Sequence, residues 1–262
     1  MIPTKEAIMN WMLFILIGFL FTATPATAVG ADSSATPGML LELEGGAVWQ
    51  SRNDVQIPND ATATRFSLVD AVGNGPWPAA RFYATLNLRE KHSLRLLLAP
   101  LSVTETGVLD APVDFVGSKF AAGIPTKFTY KFNSWRIGYR YRFHDSKDWR
   151  WWIGFTANIR DAKIRLNQGD MIAEKADVGF VPLLSIAGTW RIAPQWTAEL
   201  DLEALAGGAG RAEDAALKLR YHIDDRWSIA GGYRTVEGGS DVDAVYNFAW
   251  LHYAVVSVGL AF

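Results

Sequence analysis

Apolar and polar residues follow two rhythms along this chain. Trp11–Phe21 is an unbroken apolar run, whereas from Met39 onward apolar side chains recur at every second position. A period of two is that of a strand with its faces in different surroundings. The alternation predicts ten strands, at 40–50, 79–88, 93–104, 126–143, 150–166, 179–192, 196–206, 213–223, 227–237 and 246–262, with eight as the fallback count. Arg89–His92, His144–Trp149, Ala193–Gln195 and Asp224–Arg226 read as tight turns. Longer connections are expected at 51–78, 105–125, 167–178 and 238–245, and a short one at 207–212. Thr62–Asp70 fits an extra strand, a bulged extension or an ordered loop. Several strands reach the roughly 9–11 residues that a tilted membrane-crossing strand requires. The pattern is all-β: an antiparallel up-and-down transmembrane β-barrel.

The first apolar run has a different meaning. It is too short to span a bilayer as a helix, which takes about 20 residues, but it suits the core of a secretory signal. Ala26-Thr27-Ala28 supplies a small-x-small cleavage site, so residues 1–28 are expected to be removed before Val29. The charged start is weak, because Glu6 offsets Lys5. Residues 29–38 are small and polar, a flexible lead-in to a barrel domain at 39–262.

Alternation does not say which face looks inward, since a soluble barrel hides its apolar face and a membrane barrel turns it to lipid. Composition helps: the chain holds 11 Trp, 8 Tyr, 14 Phe and 23 Gly. Trp149, Trp151, Trp152, Trp190, Trp196 and Trp227 all flank predicted short turns. Indoles gathered at one level form a membrane-interface girdle, where a soluble core would scatter them. Trp49, Phe128, Tyr130, Phe180, Phe248 and Trp250 form a looser second set, expected at the opposite interface.

The last residues, His252-Tyr253-Ala254-Val255-Val256-Ser257-Val258-Gly259-Leu260-Ala261-Phe262, alternate and stop on an aromatic ring. Here the chain resembles bacterial outer-membrane β-barrel proteins, in the style of the small OmpA- and OmpX-type members. The resemblance implies a cleavable signal, location in the outer membrane of a diderm bacterium, and both termini on the periplasmic side. It also implies that Gly259 and Phe262 belong to the end read by the barrel-assembly machinery. It identifies a class of protein and no activity.

With Trp135, Ile137, Tyr139 and Tyr141 outward, Arg136, Arg140 and Arg142 face inward. The same parity puts Glu42, Glu44, Arg81, Arg95, Arg160, Glu199, Asp201, Glu203, Lys218, Arg220 and Arg234 in the lumen, a predicted excess of 9 − 5 = +4. Guanidiniums and carboxylates across a narrow lumen can pair bidentately. Three readings stand: a salt-bridged plug, a narrow anion-preferring channel, or a small-ligand conduit. The wall is committed to lipid, so an extracellular partner is expected at 51–78 and 105–125.

The chemistry of the remaining residues narrows the classes. With no cysteine there is no disulfide, thiolate zinc site or cysteine nucleophile. A net charge of −2 argues against nucleic-acid binding. The phosphate-loop, zinc-protease, serine-elbow and dinucleotide fingerprints do not occur, and no cofactor is implied. Asp110, Asp114, Asp241 and Asp243 read as solvated loop acids rather than a calcium site, and no metal is expected. His92, His144 and His222 fall near strand ends. His252, a few residues past Asp241 and Asp243, is the one catalytic candidate: an Asp–His pair could activate water for hydrolysis. No nucleophile stands beside it in the sequence, and strict parity points it outward.

Overall fold

The computed structural model describes residues 38–262. The expected signal, and the lead-in except Gly38, lie outside the described residues. The chain forms a closed antiparallel barrel of ten staves. In order these are β1 (Met39–Gln56), β3 (Trp77–Arg89), β4 (His92–Ala99) continued by β5 (Ser102–Gly107), β8 (Thr126–Asp145), β9 (Trp149–Gln168), β10 (Met171–Ala193), β11 (Trp196–Gly207), β12 (Gly210–His222), β13 (Trp227–Val242) and β14 (Val245–Ala261). Closure comes from β14 pairing with β1, from Leu40↔Ala261 to Gln56↔Tyr246. Met39 and Phe262 exchange backbone hydrogen bonds at the short-turn end. No helix among the described residues is long and apolar enough to cross a membrane; the strands make the crossing.

The connections are shorter than expected in several places: β1 runs on to Gln56 and β3 begins at Trp77, both inside the expected 51–78 loop. At 167–178 and 238–245 the strands continue, turning only at 169–170 and 243–244. The polar residues there mark strands standing in water. Thr62–Asp70 is an ordered loop containing β2 (Phe66–Ser67) and the start of α1 (Leu68–Val72), whose Ser67 side chain accepts from Asp70 N. The segment 105–125 carries a hairpin, β6 (Val113–Phe115) and β7 (Ser118–Phe120). Its two central residues, Val116 and Gly117, both have positive φ (49° and 73°), the backbone of the primed hairpin turns.

One feature of the sequence explains the vertical organisation. Along β9 the outward residues are Trp149, Trp151, Ile153, Phe155, Ala157 and Ile159, then Asp161, Lys163, Arg165 and Asn167. The inward residues change in the opposite sense, from Thr156, Asn158 and Arg160 to Ala162, Ile164 and Leu166. β8 shows the same inversion, with Ile137 and Tyr139 outward below and Phe128 and Tyr130 inward above. The β8–β9 register is unbroken across this level, so the surroundings change while the backbone does not. Below, apolar side chains meet lipid: Ile137 is 56% exposed and Phe155 60%. Ten residue steps at about 3.3 Å, tilted about 40°, give a belt about 25 Å tall, the height of an outer-membrane barrel's apolar band.

Above the belt the barrel is built like a soluble one. Phe115 and Phe120 of the hairpin are fully buried and pack with Leu68, Val55, Ile57 and Leu166 into an apolar plug in the mouth. Between β4 and β5 the wall loses its pairing to β3, since β5 bonds only to β8. That seam is filled by α1 and by Trp77, whose Nε1 donates to Glu105 Oε1 at 2.8 Å.

Candidate functional site

Below the plug the lumen is occupied by charge. Alternation on neighbouring strands delivers acids and bases to the same inner face, and the side chains join. Arg95 meets Asp201, which also takes Arg140 at 2.7 Å. Arg140 lies 3.6 Å from Glu203, which Arg136 contacts at 2.6 Å. Arg136 continues to Asp214 at 2.8 Å, and Asp214 also receives Arg81 at 3.0 Å and Arg234 at 2.5 Å. Arg234 reaches Glu44 at 3.3 Å, Glu44 reaches Lys218 at 3.2 Å, and Lys218 pairs with Glu42. Glu42 takes Arg220 at 2.6 Å, and Arg220 grips Glu199 bidentately at 2.6 and 3.0 Å.

These thirteen side chains form one connected ladder. Its most enclosed acids, Glu44 and Asp214, are 1% and 3% exposed. Buried charge is tolerable only with partners and hydrogen bonds, and each of these acids has several. Gly259 belongs to the same construction: a Cβ there would sit 2.9 Å from Arg220 Nη1 and 2.7 Å from Ser228 Oγ. The missing side chain makes room for the guanidinium.

Asp214 escaped the sequence reading although it shares parity with Lys218 and Arg220 on β12; following that alternation two steps further would have found it. Two predicted members stand apart. Arg142 lies toward the short-turn end, donating to Glu90 O and facing Asp145 at 3.2 Å. Arg160 shares the inner face opposite Ser134 but makes none of the ladder's ion pairs. The ladder therefore carries 7 − 6 = +1 rather than the +4 expected. A cavity of about 20 Å³ lies beside the plug, lined by Leu68, Leu101, Phe128 and Tyr130 among others, with room for about one water.

The tryptophans gather at the short-turn end. Trp149 stacks on Trp190 (5.1 Å, 2°) and on Trp151 (6.2 Å, 4°), and Trp196 packs against Tyr221 (4.9 Å). Trp227 is exposed on the same outer face. Trp152 departs from the expected girdle: its register partners Arg142 and Ala187 are buried inward, so it belongs to the lumen side. At the opposite boundary Trp49, Phe180 and Trp250 face out, whereas Phe128 and Tyr130 are inside the plug. Phe248 faces out but lies under Arg52 and Arg211, whose guanidinium carbons sit 5.6 and 4.9 Å from its ring centre.

His252 faces outward at that boundary, and it is not paired with an aspartate. Asp241 pairs in register with Tyr246, six residues from His252, and holds Asn59 Nδ2 at 2.8 Å; Asn59 N donates to Asp243 O. The neighbours of His252 come instead from two other strands. Ser51 Oγ lies 2.8 Å from Nε2 and the Tyr233 hydroxyl 2.5 Å from Nδ1. Trp49 stacks over the imidazole at 5.8 Å, and Trp250 lies at 5.4 Å with its Nε1 donating to Thr235 Oγ1. Ser51 sits at the register shift between Gln50 and Arg52 in the β1–β14 ladder, a bulge that re-aims its side chain outward. Sequence spacing could not find it, because 201 residues separate the partners. Among the described residues no group of three or more His, Asp or Glu is placed to hold a metal ion.

No family model matches the chain, and no curated protein matches it. Solved structures do. The outer membrane protease OmpT from Escherichia coli superposes with a TM-score of 0.57 at 7% identity, covering 90% of this chain and 99% of that one. The translocator domain of the autotransporter NalP from Neisseria meningitidis gives 0.43 at 8% identity, covering 98% and 96%. Ail, the attachment invasion locus protein of Yersinia pestis, gives 0.38 at 10% identity, covering 86% and 99%. At these identities the likeness is one of fold: a bacterial outer-membrane β-barrel. The apolar belt and aromatic boundaries agree with an outer-membrane location.

Proposed function

We propose that this protein is a non-conducting outer-membrane barrel with a structural and surface-interaction role, in which an ordered crown built from 51–78 and 105–125 meets an extracellular partner. The observation that carries the reading is the double obstruction of the lumen: a continuous ion-pair ladder across the membrane level, with an apolar plug above it. A channel needs a water path whose walls are free to exchange ions, and here the wall charges are spent on one another. The crown is held by its own hydrogen bonds. Thr64 N donates to Asp114 O at 2.9 Å, Val116 N to Ile57 O at 2.9 Å, and Gln168 clamps Ala121 through both ends of its amide. A fixed surface of this kind loses little conformational entropy on binding. Reconstitution in a planar bilayer tests the reading: no conductance steps are expected, and anion-selective steps that scale with salt would replace it with the channel.

A further inference from the structure

We infer that the outward Ser51–His252–Tyr233 cluster is an esterase site for acylated lipids of the outer leaflet. The inference goes beyond the lumen reading and does not depend on it, since the site lies on the other side of the wall.

A serine hydroxyl becomes a nucleophile when a histidine nitrogen takes its proton, and a third group must hold the imidazole in the tautomer that can do so. Ser51 Oγ at 2.8 Å from Nε2 meets the first condition. The Tyr233 hydroxyl, 2.5 Å from Nδ1, meets the second in the tautomer that carries its proton on Nδ1: the phenolic oxygen then accepts Nδ1–H and the Nε2 lone pair is directed at serine. Trp49 and Trp250 fix the ring from the sides. A histidine kept only as an interfacial ring has no need of a serine aimed at one nitrogen and a phenol at the other. Ser51 is exposed, so an ester can reach it.

The surroundings state the substrate. On the lipid side the outward residues in register are Ala47 beside Ala254 and Gly45 beside Val256, bordered by Tyr233 and Gly231, an apolar stripe of the wall. An acyl chain can lie against this stripe. On the water side Arg52, Arg65 and Arg211 cover the Tyr246 and Phe248 rings. Arg52 and Arg211 pair with Asp54 and Glu237, so Arg65, hydrogen-bonded to Gln56, is the cation placed to meet an anionic headgroup. A lipid whose chain lies on this stripe and whose headgroup meets Arg65 places its ester carbonyl between them, at the level of His252.

Ser51 Oγ attacks that carbonyl carbon while its proton passes to His252 Nε2. The bond to the lipid alcohol breaks and the departing oxygen takes the proton. Water, deprotonated by His252, then attacks the acyl-serine, releasing the fatty acid and returning a proton to Ser51. The sum is ester plus water giving acid plus alcohol. Ser51 and His252 are the catalytic residues and Tyr233 is a positioning residue.

The test uses the folded full-length barrel in mixed micelles with dipalmitoyl phosphatidylglycerol or with lipid A, following fatty-acid release, together with a fluorophosphonate probe located by peptide mass. Release from at least one lipid and labelling on the Ser51 peptide are expected. Ser51→Ala and His252→Gln should each lower release by at least about a thousandfold, with heat-modifiable gel migration unchanged. Tyr233→Phe should move the pH profile of kcat while leaving KM near its wild-type value. No release from either lipid, or equal release by wild type and Ser51→Ala, would overturn the assignment. Release that is lost in Ser51→Ala while the bilayer experiment shows conductance would uphold it and remove only the non-conducting reading.

Discussion

Arg234 on β13 and Glu44 on β1 meet across the lumen at 3.3 Å, and among the described residues theirs is the one ion pair joining the two halves of the ladder. On one side lie Asp214 and the arginines around it; on the other lie Lys218, Glu42, Arg220 and Glu199. The Tyr83 hydroxyl reinforces the junction, accepting from Arg234 Nη2 at 2.8 Å and donating to Glu44 Oε1 at 3.4 Å. Two strands that are not wall neighbours are thereby tied through the interior.

Arg234→Met should therefore be far more costly than an ordinary surface change. It leaves Glu44 and Asp214 buried with one guanidinium fewer, and removing one partner of a buried pair costs about 3–5 kcal/mol. Arg234→Met with Glu44→Met should recover part of that loss, because the stranded charge goes with its partner. Urea unfolding in lipid vesicles measures both; a double variant no more stable than the worse single would show that the pair is not a unit.

The inversion of the two faces gives a second expectation. Phe155 and Thr129 both point outward, but Phe155 lies within the belt and Thr129 above it. Phe155→Arg should destabilise the folded barrel by about 2–4 kcal/mol, the cost of a guanidinium in mid-bilayer, whereas Thr129→Arg should change it by less than about 0.5 kcal/mol. Equal effects in vesicle unfolding would mean that the belt does not end where the alternation inverts.

The barrel was legible in the sequence because period-two alternation is a local signal, and lipid outside makes the outward residues apolar along most of each stave. Glu42, Glu199 and Arg220 could be assigned to the lumen for the same reason. The plug was not legible. Phe115 and Phe120 sit in a segment with turn-like composition, and their burial depends on folding back into a mouth that no local pattern announces. Phe128 and Tyr130 lie in the plug and not in the expected girdle, because the rule that aromatics face lipid fails once the strand leaves the bilayer. Ser51 was hidden more deeply, since a bulge in one strand and the closure of the whole barrel together bring it to His252.

At the short-turn end, Asp224 accepts the backbone N–H of Trp227 at 2.6 Å and of Arg226 at 2.8 Å. These bonds, that of Trp227 foremost, favour the charged carboxylate and hold its pKa below the ordinary range. A depressed carboxylate contributes stability above its unfolded pKa of about 3.9, and that contribution is lost as pH falls through the folded value. Asp224→Asn should therefore unfold earlier than wild type at pH 7, with the gap closing below about pH 3.9. A gap that persists undiminished in acid would assign the effect to geometry rather than charge.

Gln168, at the last position of β9, offers the most direct test of the crown. Its Nε2 donates to Ala121 O at 3.0 Å and to Thr126 Oγ1 at 2.7 Å, while its Oε1 accepts Ala121 N at 2.9 Å. One side chain thus stands in for a neighbouring strand, satisfying backbone groups that the 105–125 connection would otherwise leave to water. Gln168→Ala removes all three bonds, at roughly 1 kcal/mol each, without touching the ladder or the belt. The barrel should keep its heat-modifiable migration while 108–125 becomes open to limited proteolysis. Gln168→Glu separates the contributions: it keeps the acceptor for Ala121 N but loses both donors, so its cleavage rate should fall between wild type and Gln168→Ala. Were both variants cut no faster than wild type, the crown would have to be held by the burial of Phe115 and Phe120 alone.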